Sequence, residues 1–238
     1  MYKHFSWMFL VLLRQPAFWV ATILFPSLFY LVFAVPESID IQKSNFLLGS
    51  FTSFAFFGVT FLQMGTSMAQ ERSSSWHQFL RTLPISYSLL VLSKYICMLI
   101  FALIAAVLVN IFALIFTPSS LSYSTTFKLY FTLTLGSVAF LPMALTLGFL
   151  TNSRSVVPLG NMIYLLLSFM GGMWKPPQIL PEIIREISFY LPTRHYSEVV
   201  WAVVTTDSIP LKSIMFLFIF CLIFSITASL GIKKGKQT

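Results

Sequence analysis

The side chains that could do chemistry in this sequence are few, and most of them stand at the edges of long apolar runs. The three histidines, His4, His77 and His195, have no partner at a metal-ligand spacing such as H-E-x-x-H. There is no G-x-x-x-x-G-K-[ST] phosphate loop, so the chain does not hydrolyse ATP by that route. Cys97 and Cys221 fall in different apolar runs, where we expect small core residues rather than a disulfide. The chemistry that remains is recognition.

The stretch best suited to recognition is Gln70–Ser86, the most polar run between two long apolar segments. Ser75 with Gln78 three residues later is typical of a helix N-terminus, and Pro84 closes the segment. Side chains at i, i+3, i+4 and i+7 would form an aromatic and aliphatic ridge on this short helix: Trp76, Phe79, Leu80 and Leu83. Two interpretations remain open, a docking surface for a partner and a connecting helix at the level of the lipid headgroups.

Composition decides the class of protein. Of the 238 residues, 57% are hydrophobic and 9% are charged, against roughly 25% charged in soluble proteins. The chain is therefore expected to be an integral membrane protein in contact with lipid. Its formal charge of +8 is spread along the sequence. Nucleic-acid binding would need a continuous basic face, so we expect no nucleic-acid partner.

We predict an all-α integral membrane fold with six transmembrane helices, since each span needs roughly 20 apolar residues. Residues 1–15 are predicted as an interfacial helix, and residues 16–238 as one six-span domain. A kink is expected at Pro26 in the first span, and the glycine-rich second span should pack against other helices. The predicted spans are about 17–35, 46–69, 87–116, 127–150, 158–174 and 211–231.

No Asp, Glu or His lies in the middle of a predicted span, which disfavours an ion-coupled carrier. Gln63, Asn110 and Asn161 are the candidate polar residues of a transport pathway. Such amides also commonly tie helices together. The 26 phenylalanines are interpreted mainly as packing residues.

The segment Lys175–Pro210 is too polar for a full span and too patterned for a linker. Pro181 opens one short helix, and a second amphipathic segment, Ser197–Val204, follows around Glu198 and Trp201. The preceding span has only about 17 residues, near the lower limit for crossing. We therefore predict an outward-facing re-entrant or amphipathic hairpin between the fifth and sixth spans.

Lysine and arginine in short loops predict the orientation. Only Lys43 and Lys128 are assigned to the outer short loops, so both termini should be cytoplasmic, in a bacterial plasma membrane. Lys94, near the start of the third span, is expected to snorkel to the cytoplasmic surface. The cytoplasmic set is Lys3, Arg14, Arg72, Arg81, Lys94, Arg154, Lys233, Lys234 and Lys236.

Together these features resemble the permease subunits of the type-2 ATP-binding-cassette (ABC) exporter superfamily. The resemblance covers essentially the whole chain and rests on two motifs at the right distance within this topology. The first motif is carried by Glu71, Arg72, Trp76, Leu80, Leu83, Pro84, Ser86 and Lys94. The second is carried by Gly171, Gly172, Pro176, Leu180, Pro181, Leu191, Pro192 and Tyr196.

The resemblance implies a chain that is not itself an enzyme. A separate cytoplasmic ATPase subunit would bind ATP and Mg, and the permease would pair with a second copy or a paralogue. The loop after the second span would be the coupling helix, with Arg154 in a secondary contact and the first and fifth spans building the pathway. The coupling residues implied are Glu71, Arg72, Trp76, Phe79, Leu80, Arg81 and Pro84, with Glu71, Arg72 and Arg81 as rim contacts. The extracellular gate would comprise Gly171, Gly172, Pro181, Pro192, Tyr196 and Trp201.

A pathway without charged midplane residues favours an amphipathic or hydrophobic cargo, such as an antibiotic-like compound, a peptide, a lipid or a lipid-linked glycan. Two alternatives stay open at this point. One is a passive channel or facilitator, and the other is a membrane scaffold or sensor subunit without transport.

Overall fold

The computed structural model describes residues 9–14, 16–72, 74, 86–205 and 208–235, with the backbone alone for Ala17, Ala21 and residues 231–235. This part of the chain is helical and contains no strand. Its helices are α1 (9–13), α2 (16–37), α3 (Ile41–Arg72), α4 (Tyr87–Phe116), α5 (Tyr123–Leu150), α6 (Val156–Met170), α7 (Glu182–Ser188), α8 (Pro192–Val204) and α9 (Leu211–Gly235).

Four of these helices, α3, α4, α5 and α9, are long and apolar enough to cross a membrane. The apolar stretch Thr22–Glu37 of α2 and the helix α6 are shorter. The 15 residues of α6 span about 22 Å at about 1.5 Å per residue, less than the roughly 30 Å of a hydrocarbon core. The all-helical membrane fold is therefore confirmed, and six complete crossings stay a prediction.

The predicted interfacial helix is covered only in part, because residues 1–8 and 15 lie outside the described residues. Residues 9–13 are helical. The ring of Phe9 stacks on that of Phe101 in α4, with centroids 5.2 Å apart. This short helix is thus attached to α4.

Helix α3 lies at the centre of the bundle. Within its most apolar window 83% of residues are buried, against 17% for α9. Its glycines allow close approach: a Cβ at Gly49 would lie 3.0 Å from the side chain of Val204, and one at Gly65 would lie 3.1 Å from the carbonyl oxygen of Ala144. The prediction that the second span packs against helices rather than lipid is confirmed.

Both prolines inside spans disturb the helical hydrogen-bond pattern locally. Pro26 stands between two π-helical turns of α2, Val20–Leu24 and Tyr30–Ala34. Pro142 cannot donate to the carbonyl of Val138, because proline has no N–H. The N–H of Leu141 donates to that carbonyl instead, at 3.2 Å, in a tighter turn between the two halves of α5.

Loops predicted to lie on the same side of the membrane meet in the structure. The amide of Asn45, in the second turn of α3 and predicted as part of the loop after the first span, exchanges two hydrogen bonds with the backbone of Ser120, after α4, at 3.0 and 3.2 Å. At the opposite end of the bundle, Arg72 of α3 contacts the last residues of α5. This pairing of ends is the one that the predicted topology requires.

The second helix of the hairpin differs from the prediction. It begins at Pro192 rather than Ser197, and nearly all of its residues are buried, including Arg194 and His195. The polar face of this helix is not exposed to water, because its polar side chains point into a buried polar cluster described below. The first hairpin helix, α7, is exposed, with Ile183 74% accessible.

Candidate functional site

The end of α3 is held to α4 by an ion pair between Glu71 and Lys94. The carboxylate oxygen Oε1 of Glu71 lies 2.6 Å from Nζ of Lys94. The Lys94 side chain is only 4% exposed, whereas that of Glu71 is 43% exposed. The expectation that Lys94 snorkels freely to the surface is therefore wrong. It reaches a carboxylate at the helix end, because a buried ammonium group needs a paired charge.

Arg72 caps the end of α5. Its Nη1 donates to the carbonyl oxygens of Gly148 at 2.8 Å and Phe149 at 2.7 Å, and its guanidinium lies 5.2 Å from the centre of the Phe149 ring. The last carbonyls of a helix lack intrahelical donors and carry partial negative charge, so a cation there is favourable. Arg72 thus fastens α3 to α5.

These two contacts form what we term the helix-end clamp, defined by Glu71, Arg72, Lys94, Gly148 and Phe149. The clamp stands where α3 leads into residues 75–85, the segment predicted to dock a partner. Glu71 and Arg72 were predicted as rim contacts for the ATPase, but in this structure their charged groups contact helices of their own chain. The other predicted coupling residues lie outside the described residues: Trp76, Phe79, Leu80, Arg81 and Pro84.

The loop of Arg154 lies directly after the clamped end of α5. The Oδ1 of Asn152 accepts hydrogen bonds from the backbone N–H of Arg154 at 3.1 Å and of Ser155 at 2.9 Å. This side-chain turn shapes the loop locally. Arg154 itself is exposed, as a contact for another subunit would require.

The residues predicted as a gate mostly come together. A Cβ at Gly171 would collide with the side chain of Thr193, whose hydroxyl donates to the carbonyl of Leu167 at 2.7 Å. Gly172 has a φ of +80°, and a Cβ there would lie 2.8 Å from Pro177 and 3.2 Å from Trp201. The glycine pair therefore allows the end of α6 to lie directly against α8.

Helix α8 is anchored on two sides. The indole N–H of Trp201 donates to the hydroxyl of Ser50 in α3 at 2.7 Å, and the hydroxyl of Tyr196 donates to the carbonyl of Leu133 in α5 at 2.9 Å. Pro192 is buried at the first turn of α8. Pro181 is exposed before α7, apart from this group.

Sequence reasoning missed a buried polar cluster between α8 and α9. Arg194 Nε donates to Oε1 of Glu198 at 2.7 Å, and the hydroxyl of Ser213 donates to Oε2 at 2.5 Å. His195 Nε2 donates to the carbonyl of Phe189 at 2.9 Å, and its Nδ1 lies 3.2 Å from the Ser213 hydroxyl. The i, i+4 spacing of Arg194 and Glu198 was the available signal.

Glu198 is strongly held in its charged form. Burial by itself raises the pKa of Glu198, but hydrogen bonds from His195, Ser213 and Arg194, together with the positive charge of Arg194, outweigh burial and lower that pKa to about 2. The guanidinium of Arg194 also lies 5.2 Å from the Trp201 ring centre. The cluster is therefore an ionised link between the hairpin and the last helix.

The three candidate pathway amides have different surroundings. Asn110 of α4 lies beside the hydroxyl of Tyr130 in α5. Gln63 is half-buried in a π-helical turn of α3. Asn161 is exposed on α6, with its amide nitrogen donating to the carbonyl of Val157 at 3.0 Å. The structure does not bring these three side chains together.

A family model described as ABC-2 family transporter protein matches residues 37–230. The chain belongs to this family. It is also similar to the Bacillus subtilis (strain 168) protein named "Putative transport permease YvfS", with 24% identity over 229 residues that cover 94% of this chain and 93% of that protein. No solved structure gives a significant match.

Membership in the ABC-2 family makes the chain the transmembrane component of an ABC transporter, a multi-pass membrane protein. The family implies a partner ATPase subunit. A permease component of this kind is normally not catalytic itself. The resemblance noted from the two sequence motifs is thus confirmed at the level of the family.

Proposed function

We propose that the chain is the transmembrane subunit of an ATP-driven exporter that moves an amphipathic or hydrophobic cargo out of the cell by alternating access. The observation that carries the proposal is the helix-end clamp in a member of the ABC-2 family. A partner that moves residues 75–85 also moves α3, α4 and α5, because Glu71 and Arg72 fasten these helices to one another.

The clamp gives the predicted coupling helix a mechanical role. ATP binding would close the ATPase pair and displace the ridge of Trp76, Phe79 and Leu80. The displacement would pass through Glu71 and Arg72 into the bundle as a rigid-body shift. Arg154, exposed beside the clamped end of α5, is proposed as the secondary contact.

Two copies of the chain are proposed to enclose the pathway, with α2 and α6 facing each other. Helix α2 exposes an apolar stripe at four-residue steps, and α6 exposes Met162 and Leu166 beside Asn161. An exposed amide on an apolar helix is costly in lipid and suits a pathway or a subunit contact better. The scarcity of charge along these faces favours an amphipathic cargo.

The hairpin is proposed as the extracellular gate. Helix α8 contacts α3, α5, α6 and α9, so a shift of the bundle also moves α8. The turn at Gly171 and Gly172 would be the point about which α8 changes its angle to α6. Bistable packing of this kind converts small shifts into discrete states.

Purification of the chain with its ATPase subunit tests this function. We expect a stable complex in lipid whose ATP hydrolysis falls at least tenfold when Trp76→Ala and Phe79→Ala are combined. The matched control is Tyr123→Ala with Phe127→Ala, two exposed aromatic residues at the predicted outer end of α5 and outside any predicted contact. Equal hydrolysis in both double variants, or no complex with the ATPase, would contradict the proposed coupling.

A further inference from the structure

A cavity of about 570 Å³ lies in a gap between α5 and α9. Helix α8 packs against both helices and closes the bottom of the gap. This volume falls within the usual range for small-molecule sites, roughly 300–1,000 Å³. Its lining comes from α5, α8 and α9 and includes Lys128, Phe131, Tyr196, Val203, Phe218 and Cys221.

The lining is apolar except at one end. Lys128 stands in the second turn of α5, and Thr132 follows one turn later. Lys128 forms no ion pair with any residue of the described ranges. The hydroxyl of Tyr196 is already bonded to the carbonyl of Leu133. The cavity therefore offers a cation at its mouth and hydrocarbon beyond it.

The cavity opens sideways, toward the bilayer. Phe131, Leu135 and Phe218 on its rim are 60%, 62% and 65% exposed, whereas Tyr196 at its bottom is fully buried. The lining residues themselves run from Ile214 to Cys221 along α9, about 10 Å, and from Lys128 to Ala139 along α5, about 16 Å. The cavity is thus long enough for part of an acyl chain.

The bottom of the cavity is fixed in shape. A Cβ at Gly136 would lie 2.7 Å from the Tyr196 ring, so this ring lies directly on the backbone of α5. The Phe140 ring packs edge-on against Tyr196, with centroids 5.1 Å apart. The bottom of the cavity is therefore made of side chains that already pack against one another and against the backbone of α5.

We propose that this cavity binds one acyl chain of an anionic phospholipid, with the lipid phosphate beside Lys128. A phospholipid is the amphiphile that surrounds this face of a membrane protein, and a lysine ammonium group is a common partner for phosphate. The site is separate from the α2 and α6 faces proposed for cargo. It therefore does not depend on the proposed export function.

Native mass spectrometry of the full chain in mild detergent tests the site. The probes are phosphatidylglycerol and phosphatidylcholine with identical acyl chains. We expect the wild type to hold one phosphatidylglycerol at least tenfold more tightly than phosphatidylcholine. Lys128→Gln should reduce this preference below threefold. Equal binding of the two lipids to the wild type, or a preference unchanged in Lys128→Gln, would overturn the proposal.

Filling the cavity provides the second arm of the experiment. Val203→Trp should abolish the tightly held lipid, whereas Leu222→Trp, an exposed residue of α9 outside the cavity, should retain it. In the wild type, bound phosphatidylglycerol should slow maleimide labelling of Cys221 at least fivefold. Equal loss in both tryptophan variants, unprotected Cys221, or tighter binding of free oleate than of phosphatidylglycerol would each contradict a phospholipid site.

Discussion

The strongest stability prediction concerns the charge of Glu198. Its pKa is lowered from 4.5 to about 2, which corresponds to about 3 kcal/mol at roughly 1.36 kcal/mol per unit. The Glu198 side chain is 22% exposed, so solvent screens part of this interaction. We expect Glu198→Gln to lower the free energy of unfolding by about 2–3 kcal/mol, since it also leaves the buried guanidinium of Arg194 without a countercharge.

The assay is thermal unfolding of the purified chain in detergent. A loss of this size should lower Tm by roughly 4–12 °C for a chain of this length. The control is Glu182→Gln. The Glu182 side chain is 78% exposed and its ion pair with Arg185 is long, at 3.8 Å, so the Tm of this variant should equal that of the wild type within error. The Glu198 contribution should be complete above about pH 4.5 and be lost as the pH falls through about 2, because the pKa is lower in the folded chain. Equal Tm values for both variants would refute the reasoning.

Two further predictions concern the clamp and the hairpin turn. Glu71→Gln should cost about 3 kcal/mol in unfolding experiments, because it leaves the buried Lys94 unpaired, whereas Lys94→Met should cost less than about 1 kcal/mol, because Glu71 is 43% exposed and can be hydrated. Equal losses of stability in the two variants would contradict the reasoning that Lys94 is buried and Glu71 is partly hydrated. Gly172→Ala should cost about 2–3 kcal/mol and slow ATP-driven turnover, since alanine is strained at a φ of +80° and its Cβ would contact Pro177; a loss below about 1 kcal/mol would show that the turn rearranges freely.

Much of the architecture could be predicted from the sequence, because apolar runs of membrane length leave little choice of secondary structure. The packing of α3 against other helices rather than lipid was predictable from Gly49, Gly58 and Gly65, because small residues allow helices to approach closely. The short length of α6 was likewise visible in the chain. Both features depend on which residue types occur within one helix, and these can be read from the sequence without knowledge of tertiary contacts.

Features that depend on tertiary partners were predicted less well. The segment around Glu198 was predicted only as amphipathic, because periodicity alone does not reveal a buried polar partner such as Ser213. Lys94 was placed at the surface for the same reason, since Glu71 is distant in sequence. The predicted docking ridge at Trp76 lies outside the described residues and stays a prediction.

Vesicle transport tests the central claim, ATP-driven export, most directly. Inside-out vesicles containing the chain and its ATPase subunit expose the ATP-binding side to the medium. We expect ATP to drive accumulation of at least one compound from a panel of amphipathic antibiotics and peptides, and Trp76→Ala with Phe79→Ala to abolish it. ATP-driven release of a preloaded compound from these vesicles would instead show import, and would contradict the proposed direction of transport. Movement of every compound at the same rate with and without ATP would contradict the exporter.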